Sequence, residues 1–270
     1  MKQMKIARIL LVYCLIQARL LAQFNYPDSI DYGNPAEMGL SYQDIHFKSS
    51  DGTKLHGWLI GGNGNKGTII HFHGNAQNMS SHFRRISWLA KEGFDLFLFD
   101  YRGYGSSEGS PSREGVFQDC DAAVKKAIEL QEDKENFILF GQSLGAANAL
   151  ALIGENKYGK IKGVIAEAAF YSYKSIAADK VGGVANFLIN DHKSPHLVVD
   201  QIAPIPILFA HGTSDQVVPH KHSKALYDKA KEPKEFLSSN GARHLTVFSS
   251  TRTRSRRQLI ETLIKWIESE

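Results

Sequence analysis

The chain has 270 residues, 43% of them hydrophobic and 22% charged, a balance that suits one soluble core and excludes a disordered, collagenous or multi-span membrane protein. The formal charge of +4 is carried by Lys2, Lys5, Arg8 and Arg19, which have no acid beside them in the first 22 residues; the rest is balanced and offers no concentrated basic face for nucleic acid. Two cysteines, Cys14 and Cys120, exclude a disulfide framework or a paired-cysteine metal site.

Residues 1–24 read as a segment apart. Lys2 and Lys5 precede an apolar run from Ile9 to Ile16, the order of a secretory signal, while Arg8, Gln17 and Arg19 keep it short of the roughly 20 apolar residues a spanning helix needs. It fits a signal or weak membrane anchor, an interfacial amphipathic helix, or a helix packed on the body. The first two imply a membrane-associated or exported protein, the third a cytoplasmic one.

From 25 to 270 a single α/β domain is expected, without internal repeats or a dividing linker. "DIHFKSSDGTKLHGWLI" places two strand-like runs around Ser50-Asp51-Gly52, an antiparallel hairpin signal. Five buried strands follow, in Gly67 to Gly74, Phe94 to Tyr101, Phe137 to Ser143, Lys162 to Ala168 and Ile205 to Gly212. Their nearly continuous apolar character is that of a parallel sheet covered on both faces. Amphipathic stretches such as Gly115 to Leu130 lie between them, so the order is that of a doubly wound sheet. Arg252, Arg254, Arg256 and Arg257 precede the last helix and read as a solvated helix start or, since they oppose the helix dipole, as a contact for an anion.

The informative stretch is "FILFGQSLGAANALALI". Ser143 stands between Gly141 and Gly145 where a buried strand meets a helix, and ligands reach such a sheet at the carboxyl ends of its strands. A sharp turn there lifts one hydroxyl above the sheet and aims the Leu144 N–H at charge developing beside it. A hydroxyl needs a base and a group to orient the base. Asp215, in "ILFAHGTSDQVVP", and His244, in "EFLSSNGARHL", both follow strands, and the order serine, aspartate, histidine is the one expected for this sheet. "HFHGNAQN" supplies a second oxyanion donor, the N–H of Asn75, after a glycine that permits close approach. His71 and His73 alternate on one strand but have no suitably spaced third ligand, so no metal is expected.

Together "HGWLI", "HFHGNAQN", "DYRGYGSSEGSPS", "GQSLGA", "HGTSDQVVP" and "GARH", in this order, resemble the serine hydrolases of the α/β-hydrolase superfamily, and more narrowly the α/β-hydrolase-domain proteins with their small bacterial members. The resemblance runs from Tyr26 to the C-terminus. It implies an eight-stranded, mostly parallel sheet with helices on both faces, hydrolysis of small-molecule esters or thioesters, and no cofactor. Ser143, Asp215 and His244 match its triad, and Asn75 and Leu144 its oxyanion positions. In it "DYRGYGSSEG" looks like a structural loop, which makes Asp100 and Arg102 structural. Two departures surround His244: Arg243 stands where relatives usually have glycine, and the Asn-Asp that commonly follows the histidine is missing.

Residues 170–200 read as a cap or lid insertion, in which Val181, Val184, Phe187 and Leu188 form an apolar face over an acyl chain or an ordinary core-packing helix. Phe170, Tyr171 and Val217 are the expected substrate contacts. Three rivals stand beside an esterase or thioesterase: a peptidase of the same superfamily, for which this length leaves no room for a propeller domain; a dehalogenase, which needs a carboxylate where Ser143 stands; and a catalytically silent binding protein.

Overall fold

The computed structural model describes residues 24–268 except 63, 157 and 184, so the expected signal or anchor lies outside the described residues apart from Phe24. Eight strands form one sheet: β1 (Tyr42–Lys48), β2 (Lys54–Ile60), β3 (Thr68–Phe72), β4 (Asp95–Phe99), β5 (Phe137–Gln142), β6 (Ile161–Glu167), β7 (Ile207–Gly212) and β8 (Lys234–Ser239). The helices are α1 (Met79–Ile86), α2 (Trp88–Lys91), α3 (Arg113–Leu130), α4 (Leu144–Glu155), α5 (Tyr173–Val181), α6 (Ala185–Leu188), α7 (Lys221–Lys229) and α8 (Thr253–Glu268). Strand order is β1-β2-β4-β3-β5-β6-β7-β8. β2 runs antiparallel to β1 and β4, and the other neighbouring pairs are parallel. The β1–β2 hairpin is the one expected from the sequence, with Gly52 at φ +90° in its turn.

The continuous apolar strands follow from the two covered faces. Phe137 and Leu139 of β5 point with Ile70, Phe97 and Phe209 into a core that α3 and α4 close with Val116, Phe117, Ala146 and Leu150. Their neighbours Ile138 and Phe140 point the other way, with Ile69, Leu98 and Leu208, into a core closed by Phe83 of α1 and Leu263 and Trp266 of α8. Each such side chain contributes about 1.5–3 kcal/mol by leaving water, which is why alternation is lost in the central strands.

The path across the sheet reverses at β3: β4 lies on one side of it and β5 on the other. The carboxyl ends of β3 and β5 therefore flank a crevice of the kind in which open α/β sheets take their ligands.

The loop after β4 is structural, as expected. The Arg102 guanidinium donates to both oxygens of the buried Asp119 on α3, to Asp51 in the hairpin turn and to Ser49 Oγ. Asp100 Oδ1 accepts from Met79 N at 2.7 Å, the first residue of α1. Two of the arginines near α8 also brace a loop. Arg252 donates to Ser239 Oγ and Asn240 O, and Arg256 donates to Phe248 O while lying 4.3 Å over the Trp88 ring.

Between β6 and β7 the chain forms α5 and the short α6. The face that α5 buries is Tyr173, Ile176 and Ala177, packed with Phe170 on Leu144, Ala147 and Val218. Val181 is half-buried and Leu188 exposed; Val184 and the Phe187 side chain lie outside the described residues. Among the described residues no helix is long and apolar enough to cross a membrane.

Replacing Arg102 by alanine would strand the Asp119 carboxylate inside the protein. The expected loss is about 3–5 kcal/mol of unfolding free energy, read as a shift in the urea midpoint at unchanged slope.

Candidate active site

β5 ends at Gln142 and α4 begins at Leu144, leaving one residue to make the turn. Ser143 N still donates to Glu167 O across to β6 at 2.9 Å, while Ser143 O already accepts from Ala147 N at 3.1 Å as the first helical bond. Serving strand and helix at once forces Ser143 to φ +56°, ψ −114°, a conformation that costs an L-residue about 1–3 kcal/mol. The glycines are explained by the same crowding. A Cβ on Gly145 would sit 2.0 Å from Phe72 O on β3, and one on Gly141 would sit 2.4 Å from Ala146 Cα. The Ser143 side chain makes no capping bond.

Asp215 lies three residues beyond β7. Its Oδ1 accepts from Val217 N at 2.8 Å and Val218 N at 3.0 Å. Its Oδ2 lies 2.7 Å from His244 Nδ1 and 3.3 Å from His211 Nε2. Burial alone would raise this carboxyl, but the two histidines and the backbone amides hold it well below the usual carboxylate range. An ionised Asp215 keeps the His244 proton on Nδ1 and so leaves Nε2 as the basic nitrogen. His244 sits on a loop whose entry is tied to the Asp215 turn by Ser214 N donating to Ala242 O. Arg243, the departure from the expected glycine, is accommodated with its side chain exposed.

Opposite Ser143, the chain leaving β3 is held from behind. His73 O accepts from Tyr101 Oη at 3.0 Å, and Asn75 O accepts from Tyr26 N at 2.7 Å and Tyr104 Oη at 2.9 Å. His73 Nδ1 donates to Gly74 O at 2.7 Å. In a trans peptide the next N–H points away from that carbonyl, which turns the Asn75 donor away from the buried ring. Gly74 stands beside the turn, with its absent Cβ 3.8 Å from Gln142 O. Leu144 N, at the first position of α4, has no acceptor within its own helix.

Residues 63–199 match the sequence model of a family described as "Serine aminopeptidase, S33". The chain is 38% identical over 232 residues to Uncharacterized protein YfhR of Escherichia coli K12, covering 84% of this chain and 80% of that protein. It is 34% identical over 216 residues to the Alpha/beta hydrolase domain-containing protein WAV2 of Arabidopsis thaliana, covering 73% and 69%. The chain belongs to the α/β-hydrolases. A solved esterase of Pyrococcus furiosus shares the fold with a TM-score of 0.73 at 23% identity, covering 91% of this chain and 98% of that one.

Around this hydrolase's turn the other expected residues fall in different places. Phe170 packs beside Leu144. Tyr171 donates its N–H to His222 Nδ1 and lies against His196, and Val217 is exposed. A cleft opens beside Leu144, bordered by Phe24, Arg113, Val116 and Tyr173. His71 and His73 are fully buried, and among the described residues no group of side chains is arranged to hold a metal ion. His211, Gln142 and Glu167 were not singled out from the sequence; each lies within two positions of a strand's carboxyl end, and that placement was the available signal.

Because Ser143 carries the strain, Ser143→Gly should relieve it. Thermal unfolding should then shift upward, corresponding to about 1 kcal/mol of added stability.

Proposed function

We propose that the protein is a serine hydrolase that cleaves carboxylic esters or thioesters through an acyl-enzyme intermediate. The observation that carries this is the 2.7 Å contact between the buried Asp215 carboxylate and His244 Nδ1, on the same end of the sheet as a strained serine at a helix start. His244 Nε2 takes the Ser143 proton as Oγ attacks the acyl carbonyl, and Asp215 holds the imidazole and stabilises its cation. The carbonyl oxygen becomes an oxyanion received by the N–H groups of Leu144 and Asn75. His244 then gives its proton to the departing alkoxide or thiolate. In the second half water attacks the acyl carbonyl, His244 takes its proton and returns one to Ser143 Oγ, and the acid leaves. Side chains, backbone amides and water balance every step, so no cofactor enters.

The substrate is a small acyl ester or thioester. Phe170 is buried beside Leu144, and Tyr171 and Val217 are further candidate contacts. A second reading, release of an N-terminal residue from a peptide, is favoured by the description of the matching family. Membrane association through residues 1–24 would bring the site to lipid-borne esters.

Ser143→Ala should abolish hydrolysis of p-nitrophenyl esters and labelling by a fluorophosphonate; retained turnover would remove the assignment. Asp215→Asn should lower kcat by roughly 10³–10⁴ with the fold intact, as expected when the imidazole is held in the wrong tautomer. Aminoacyl p-nitroanilides hydrolysed faster than the matching esters would favour the peptidase instead.

A further inference from the structure

Glu167, the last residue of β6, is 1% exposed, and no basic nitrogen of a described residue lies within 4.0 Å of its carboxylate. Burial pushes the carboxyl up, and two donors, with a smaller pull from His244 and Arg85 at longer range, draw it back. Gln142 Nε2 donates to Oε2 at 2.7 Å and Val247 N donates to Oε1 at 3.1 Å. A buried carboxylate with no cation in contact costs several kcal/mol, so its retention calls for a reason that triad chemistry does not supply.

The donors supply one. Gln142 precedes Ser143, and Val247 lies three residues after His244. The Glu167 main-chain oxygen also accepts from Ser143 N at 2.9 Å. One residue therefore holds the nucleophile's backbone with its carbonyl and the histidine loop with its side chain. The orientation of Gln142 is not free either, because its Oε1 lies 3.1 Å from His71 Nε2. Burial keeps His71 neutral, with its pKa lowered to about 3, and its Nδ1 is buried without a hydrogen-bond partner. A proton there would be a stranded donor, so the ring carries it on Nε2 and donates it to that oxygen, and the Gln142 amide nitrogen faces Glu167. Position 167 must then accept on both side-chain oxygens, and of the side chains of this length only a carboxylate does. Arg85, Gln142, Glu167, Leu245 and Phe248 border a cleft between α1 and residues 245–250, across which Arg85 donates to Leu245 O.

We propose that Glu167 is a positioning residue: the chain His71–Gln142–Glu167–Val247 sets the His244 loop at the height at which its imidazole meets Ser143. This rests on the serine-hydrolase reading above. Glu167→Gln sets two amide groups against each other, and turning Gln142 round would force the His71 proton onto Nδ1, which is buried with no acceptor. In the exchanged pair Gln142→Glu/Glu167→Gln every bond can be made again: the carboxylate now at position 142 accepts from His71 and from the amide now at position 167, whose oxygen accepts from Val247 N.

Kinetics with a p-nitrophenyl ester and hydrogen exchange of the 244–248 amides test this. Glu167→Gln should lower kcat about 10- to 100-fold with KM changed less than about threefold, since a displaced base costs rate more than binding. Its fluorophosphonate labelling should slow in parallel, and the Val247 amide should lose protection. The exchanged pair should recover most of each loss. A single variant with kcat within about twofold of the parent and unchanged Val247 protection, or an exchanged pair as impaired as the single variant, would overturn the proposal. If Glu167→Gln does not fold, the exchanged pair carries the test: folded with near-parent kcat and protection it supports the chain, and folded without them it refutes it. A parent protein that neither turns over esters nor takes the probe would instead refute the hydrolase reading, and with it the catalytic part of this proposal; the exchange data then decide the brace alone.

Discussion

A helix that starts one residue after a buried strand must pass within touching distance of the neighbouring strand, and the rest of the site depends on that contact. Gly145 lies where any side chain would strike the Phe72 and His73 carbonyls. The close approach lets α4 bury every residue from Leu144 to Gly154, and this burial offsets the strain at Ser143. It also brings the end of β3, with Gly74 and Asn75, against the turn from which the hydroxyl rises. Strain, raised hydroxyl and orphan amide have one cause, the absence of a linker between β5 and α4.

Two aspartates stand just beyond strand ends, and their surroundings separate them. Asp100 is buried with one backbone donor, Met79 N, and desolvation lifts its carboxyl to about 7. Asp215 is also buried, but two backbone amides and two imidazoles converge on it, and it stays ionised. An acid that must steady a transient imidazolium has to remain charged in a poorly solvated place, and four donors achieve this where one does not. Asp100 is suited instead to anchoring the start of α1. The buried carboxylate of Glu167 falls between these cases, with two donors and, among the described residues, no cation in contact.

The loops that carry the candidate groups are held by side chains at a distance from the chemistry. Tyr101 and Tyr104 tie back the carbonyls after β3, His211 supports Asp215 while bonding Val218 O and Ser223 Oγ, and Arg85 reaches Leu245 O. Such supports are long-range in sequence, since Arg85 and Leu245 are separated by 160 positions. They make a rigid site from segments that have no regular secondary structure of their own.

Local patterning in the sequence determined the strands, the hairpin, the glycine-bounded serine and the order of Ser143, Asp215 and His244, because apolar runs, turn residues and steric needs are written in neighbouring residues. The structural roles of Asp100 and Arg102 were legible through resemblance, though not their partners. Which face α5 buries was not, since Tyr173, Ile176 and Ala177 gain their contacts from Leu144 and Val218, far away in the chain. Nor was the His71–Gln142–Glu167–Val247 chain, whose members come from β3, β5, β6 and the loop after β8 and meet only when those strands are laid side by side. Tertiary structure alone decided these matters, because hydrogen bonds between strand ends depend on sheet order, and sheet order is a property of the folded chain and not of any short stretch of it.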